Sequence, residues 1–128
     1  MSSSPFLIGI AGASGSGKSE LARQLAGALE APVVSLDSYY LELGHLSYEE
    51  RCRVNFDEPA SLDARLLLEQ FSAIVAGQPV EVPDYDFSIH TRSGKVTRIV
   101  PGGFVILEGL FALHWPELRD LFGVRVFV

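Results

Sequence analysis

Two hydrophobic periods take turns along this chain. Phe6-Leu7-Ile8-Gly9-Ile10-Ala11 is an unbroken apolar run, the pattern of a strand covered on both faces. Leu21, Ala22, Leu25, Ala26 and Leu29 then recur at helical spacing, with Arg23, Gln24 and Glu30 off the stripe, and Pro32 ends that helix. Val33-Val34-Ser35-Leu36 reads as a second short buried strand that closes on Asp37. From Ser38 to Pro59 the pattern is irregular, with one short helix around Tyr48–Arg53. Leu62, Leu66, Leu67, Phe71, Ile74 and Val75 form the stripe of a longer helix, with Ser61 as its N-cap and Gly77 at its stop. Val80-Glu81-Val82 and Val96-Thr97-Arg98-Ile99-Val100 alternate around a polar loop with Ser93-Gly94 near its tip, which predicts a hairpin-like excursion. Gly103 to Leu107 is another buried strand, closing on Glu108. Pro116 opens a short helix through Phe122 that Gly123 stops, and Val124–Val128 begins a further strand.

Alternating strands and helices with apolar strands predict an α/β fold with a mainly parallel sheet flanked by helices, plus the β-hairpin-like excursion near residues 80–100. In such sheets ligands bind outside the carboxyl ends of the strands. The three best strands end at Gly12, Asp37 and Glu108, so one loop and two carboxylates are expected on one edge. That loop is Gly12-Ala13-Ser14-Gly15-Ser16-Gly17-Lys18-Ser19, a complete G-x-x-x-x-G-K-S/T run between a strand and a helix. Its glycines let backbone N–H groups turn inward around phosphate oxygens, and the following helix aims its dipole at the same point. Lys18 is expected to reach the β- and γ-phosphates of a nucleoside triphosphate, and the Ser19 hydroxyl to hold Mg²⁺. The expected architecture is therefore a P-loop NTPase fold.

Composition narrows the partners. With 128 residues, 48% hydrophobic and 20% charged, one globular domain is expected, long enough to bury a real core. Sixteen acids against ten bases leave no basic stripe, which argues against a nucleic acid polymer. Cys52 stands alone and fits a reducing compartment. The N-terminus has no cationic segment and no run approaches a membrane span, so a soluble, cytoplasmic protein is expected.

Asp37, in Asp37-Ser38-Tyr39-Tyr40, is placed either to take the proton of an attacking hydroxyl or to cap the next turn. Glu108 either joins Ser19 around Mg²⁺ or caps the segment after it. Asn55-Phe56-Asp57-Glu58-Pro59 and Pro83-Asp84-Tyr85-Asp86-Phe87-Ser88-Ile89-His90-Thr91-Arg92 mix aromatic, acidic and donor groups in irregular chain, as sites for small polar ring compounds do. His90 taken alone also fits a surface loop residue. His45 and His114 lack such surroundings.

The phosphate loop, Asp37-Ser38-Tyr39-Tyr40, Asn55-Phe56-Asp57-x-Pro59, Pro83-x-Tyr85-Asp86-Phe87-x-x-His90-x-Arg92 and Glu108-Gly109-Leu110, in this order, resemble the uridine kinase (uridine–cytidine kinase) family over nearly the whole chain. The resemblance implies transfer of the ATP γ-phosphoryl to the 5′-hydroxyl of uridine or cytidine. It implies Asp37 as the base for that hydroxyl, with Lys18 also catalytic, and Asp57 on the ribose hydroxyls. Tyr85 and His90 would read the pyrimidine, Arg92 would be a further substrate contact, and Glu108 with Ser19 would serve the metal. Two departures stand out. Glu58 replaces the family's His, and the family continues past Val124–Val128 with an arginine-rich lid helix and a last strand. The chain is therefore expected to be the N-terminal part of such a kinase, with Val124–Val128 lying parallel beside the phosphate-loop strand and a homo-oligomer among its arrangements. A related kinase for another small alcohol, of the phosphoribulokinase or pantothenate kinase type, and a nucleotide-binding but inactive module stay open as alternatives.

Overall fold

The computed structural model describes residues 4–13 and 15–128, so Ser14 of the phosphate loop lies outside the described residues. Four strands, β1 (Phe6–Ala11), β2 (Val33–Ser35), β5 (Phe104–Gly109) and β6 (Val124–Phe127), form a parallel sheet in the order β2-β5-β1-β6. Ile8 of β1 stands opposite Ile106 on one side and Val124 on the other. β3 (Val80–Asp86) and β4 (Thr91–Ile99) pair antiparallel as a separate hairpin. The helices are α1 (Lys18–Leu29), α2 (Tyr48–Cys52), α3 (Ala64–Val75) and α4 (Pro116–Arg119).

The apolar runs work as two-sided strands because successive side chains leave opposite faces. Leu7 and Ala11 of β1, with Val105 and Leu107 of β5, join Leu67, Phe71 and Ile74 of α3 in the larger core. Ile8, Ile10 and Ile106 point the other way, onto Ala22 of α1 and its half-buried neighbours Leu21, Leu25, Ala26 and Leu29. Each fully buried aliphatic side chain contributes roughly 1.5–3 kcal/mol, so this layering is the main source of stability. Gly9 leaves room on the first face, where an added Cβ would lie 2.7 Å from the Phe122 ring.

Several boundaries differ from the expected ones, each for a local reason. α1 stops at Leu29, and the chain leaves through Glu30 in a left-handed conformation (φ 52°), ahead of the Ala31–Pro32 step that disfavours helix. Leu36 belongs to a 3₁₀ turn, Leu36–Tyr39, which carries Asp37 beyond the end of β2. The cap of α3 is Asp63, whose side chain accepts from the Leu66 N–H at 3.1 Å. Ser61 instead donates to the Glu58 carbonyl at 2.6 Å within a short 3₁₀ turn.

The hairpin turns at Phe87–His90, not at Ser93-Gly94, so Tyr85 and Arg92 are strand residues rather than irregular chain. Asp86 sets that turn by accepting from both the N–H and the hydroxyl of Ser88, at 2.9 and 2.6 Å. Ser93-Gly94 forms a bulge, where the register slips between Pro83 and Tyr85 and the Ser93 hydroxyl donates to Asp84 at 2.7 Å. Glu108 lies inside β5, one residue before its end.

Candidate active site

The phosphate loop joins β1 to α1 as its spacing predicts. Gly15 and Gly17 have φ of 80° and 96°, a region in which L side chains are strained. Gly17 is also the N-cap of α1, and among the described residues no side chain caps the first helical N–H groups. They face a hollow of about 300 Å³ lined by Gly15, Gly17, Lys18, Ser19 and Glu20. Gly12 serves close approach, since a Cβ there would lie 2.6 Å from the Ser16 hydroxyl. That hydroxyl is buried and has no hydrogen-bond partner among the described residues, which leaves it for a ligand in the cradle. The loop therefore fits a polyphosphate.

Glu108 reaches this loop because β5 lies beside β1, in register with Ile10. It is only 9% exposed, and its Oε2 is 3.6 Å from Lys18 Nζ and 3.5 Å from Ser19 Oγ. Buried charge of this kind is tolerated because it is paired. Two hard oxygen donors side by side suit Mg²⁺, which takes few protein ligands and completes its shell with water and phosphate. Among the described residues no cluster of three or more His, Cys, Asp or Glu forms an all-protein metal cage.

Next to the loop, Lys18, Asp37, Tyr40, Phe56 and Asp57 line one cavity of about 180 Å³. Asp37 and Tyr40 are three residues apart, and a 3₁₀ turn brings such positions to the same side. The Tyr40 hydroxyl donates to the Phe56 carbonyl at 3.1 Å. Burial, and then the negative charges of Asp37 and Asp57, push its pKa up to about 12, so it stays a neutral donor. Asp57 is exposed, with its N–H bonded to the Asn55 side chain at 2.9 Å.

Behind this cavity stands an aromatic cluster. Tyr40 lies 5.2 Å from Tyr85, Tyr85 4.9 Å from Phe87, and Phe56 stacks on His90 at 5.9 Å and 20°. Asp37 and Tyr85 also share a second hollow of about 210 Å³ with Ser38, Asp84 and Phe87. Burial raises the Tyr85 hydroxyl pKa, and that hydroxyl and His90 Nδ1 are both buried without partners among the described residues. Arg92 lines neither hollow. Its guanidinium is 3.1 Å from the Asp63 carboxylate. Phe56 belongs to the aromatic and acidic cluster expected around Asp57, and Tyr40 is the added wall, which its three-residue offset from Asp37 points to.

A parallel sheet whose first strand runs through a glycine-rich phosphate loop into a helix, with a hairpin beside it, defines a P-loop kinase fold. The described chain superposes on a protein described as a "putative fructose transport system kinase" of a Silicibacter species with a TM-score of 0.81 at 24% identity, covering 97% of this chain and 65% of that one. It also matches a protein described as a possible uridine kinase of Bacillus stearothermophilus, with a TM-score of 0.71, 25% identity and coverage of 99% and 72%. Residues 7–128 match the model of the phosphoribulokinase/uridine kinase family, and the chain belongs to that family. Uridine kinase of Streptococcus pneumoniae is 39% identical over the whole chain. The chain spans 62% of the length of that relative.

Proposed function

We propose that this chain carries the donor and acceptor sites of a phosphotransferase that moves the γ-phosphoryl of ATP to the 5′-hydroxyl of a pyrimidine ribonucleoside. The observation that supports it most is the single cavity shared by Lys18, Asp37 and Asp57, backed by aromatic rings with two unpartnered polar atoms. The loop N–H groups and Lys18 bind the phosphates. Ser19 and Glu108 are the residues that would hold Mg²⁺, which when bound supplies positive charge to the β- and γ-phosphate oxygens. Asp37 accepts the proton of the acceptor hydroxyl as its oxygen bonds to the γ-phosphorus and the bond from that phosphorus to ADP breaks. Positioning matters more than basicity here, because the transition state for phosphoryl transfer is loose. Asp57 holds sugar hydroxyls, and Tyr85 and His90 pair with the edge of the base, rejecting ligands that leave them unpaired.

The test is to supply the 128-residue chain with ATP, Mg²⁺ and uridine or cytidine, and to measure ADP, the nucleoside monophosphate and binding of each substrate. Binding of both substrates with at most slow formation of UMP or CMP is the expected result. Binding of both substrates with no detectable transfer would replace the reading with a nucleotide-binding module. Binding of ATP with no affinity for either nucleoside would point to another alcohol as acceptor.

A further inference from the structure

Arg92 stands directly across the hairpin from Tyr85, its partner in the antiparallel ladder. Its Nη2 is 3.1 Å from Asp63 Oδ2, and the two side chains are 20% and 27% exposed, so the ion pair is shielded from much of the solvent. Asp63 has two further contacts. Its Oδ1 caps α3 through the Leu66 N–H, and its own N–H donates to the Tyr39 carbonyl at 2.7 Å. Tyr39 lies two residues past Asp37 in the same 3₁₀ turn. A continuous path of short bonds thus runs from Tyr85, through Arg92 and Asp63, to the turn that carries Asp37.

A second stitch runs parallel to the first. Thr91 Oγ1 accepts from the Leu43 N–H at 2.6 Å and donates to Glu42 at 3.0 Å, fastening the start of β4 to the segment after that turn. Neither Arg92 nor Asp63 lines either hollow. We propose that Asp63 and Arg92 form a positioning pair that sets the spacing between the hairpin bearing Tyr85 and His90 and the turn bearing Asp37. The inference rests on the nucleoside-kinase reading for what is spaced, while the mechanical coupling stands apart from it.

Asp63→Asn keeps an oxygen to cap α3 and removes the charge that holds Arg92. Arg92→Gln removes the other half, and Arg92→Lys keeps a cation without the planar fork. Two readouts are taken on the full chain: equilibrium binding of uridine and of ATP, and hydrogen exchange of the Leu43, Asp63 and hairpin amides. Asp63→Asn and Arg92→Gln are each expected to weaken uridine binding by about five- to tenfold, and the double variant by no more than the worse single one. ATP binding should be unchanged, Arg92→Lys should recover part of the loss, and exchange at all three places should quicken together. General destabilisation would weaken both ligands and would overturn the proposal. So would loss of uridine binding in Arg92→Gln with none in Asp63→Asn, because Arg92 would then be a direct substrate contact. If the unaltered chain binds no pyrimidine nucleoside, the functional reading fails. The exchange data then decide the pair alone, with unchanged rates overturning it.

Discussion

Lys18 and Glu108 hold opposite charges side by side at the phosphate loop. The ammonium is 3.6 Å from the carboxylate, so it is held in place at the mouth of the loop rather than roaming in solvent. Asp37 differs in being exposed, with its backbone N–H tied to the Ser35 hydroxyl at 3.3 Å and the neutral Tyr40 hydroxyl nearby. An Asn at that position keeps the size of the side chain and loses the ability to take a proton. Asp37→Asn is therefore expected to lower the rate of transfer by about 10²-fold or more with ATP affinity little changed. Single-turnover measurement of monophosphate formation beside ATP titration checks this. Parallel losses in both would assign Asp37 to the cation or to the turn itself.

At the scale of elements, the contact that sets the turn is between β5 and the residue before Asp37. A Cβ added to Gly109 would lie 2.4 Å from the Leu36 Cβ, a position that no rotamer change can relieve. Gly109→Ala should force the 3₁₀ turn off the sheet edge, costing about 1–3 kcal/mol and lowering transfer along with the thermal midpoint. Gly27 provides the contrast, as it sits exposed in α1 with nothing within 4 Å of an added Cβ. Gly27→Ala should raise stability by about 0.5–1 kcal/mol through helix propensity and leave transfer untouched. Thermal denaturation of the two variants side by side separates a clash at the site from a generic effect of removing glycine.

For the whole molecule the informative surface is the far edge of the sheet. β6 is the terminal strand in the order, with Phe127 81% exposed and Val124 and Phe6 also exposed. An unpaired edge carrying large apolar side chains invites pairing with another chain. The 128-residue chain is expected to show a solution mass that rises with concentration, and Phe127→Lys to shift it toward the monomer. Sedimentation of both proteins over a range of concentrations is the measurement. A concentration-independent monomeric mass for the unaltered chain would show that this edge is shielded by its charge or twist.

Local chemistry was open to reading from the chain alone. The order of elements, the two-sided strands and the phosphate loop depend on periodicity, glycine and the Lys-Ser pair, all of which act over a few residues. Parallel strands also implied that Gly12, Asp37 and Glu108 meet at one edge, because that follows from strand direction rather than from side-chain packing. The cap of α3 and the hairpin turn were misplaced by a few residues, since Ser61 and Asp63, or Ser93-Gly94 and Phe87–His90, carry nearly equal local signals. Packing chose the cap, since Asp63 is selected by Arg92 and the Tyr39 carbonyl, whereas the turn is fixed locally by Asp86 and Ser88. Tertiary structure alone also decided that Arg92 faces Asp63 rather than a hollow and that Lys18, Phe56 and Asp57 meet the Asp37–Tyr40 turn over one cavity. Those outcomes depend on groups tens of residues apart in the chain, whose meeting is set by how the hairpin, the 3₁₀ turn and α3 bury their shared core.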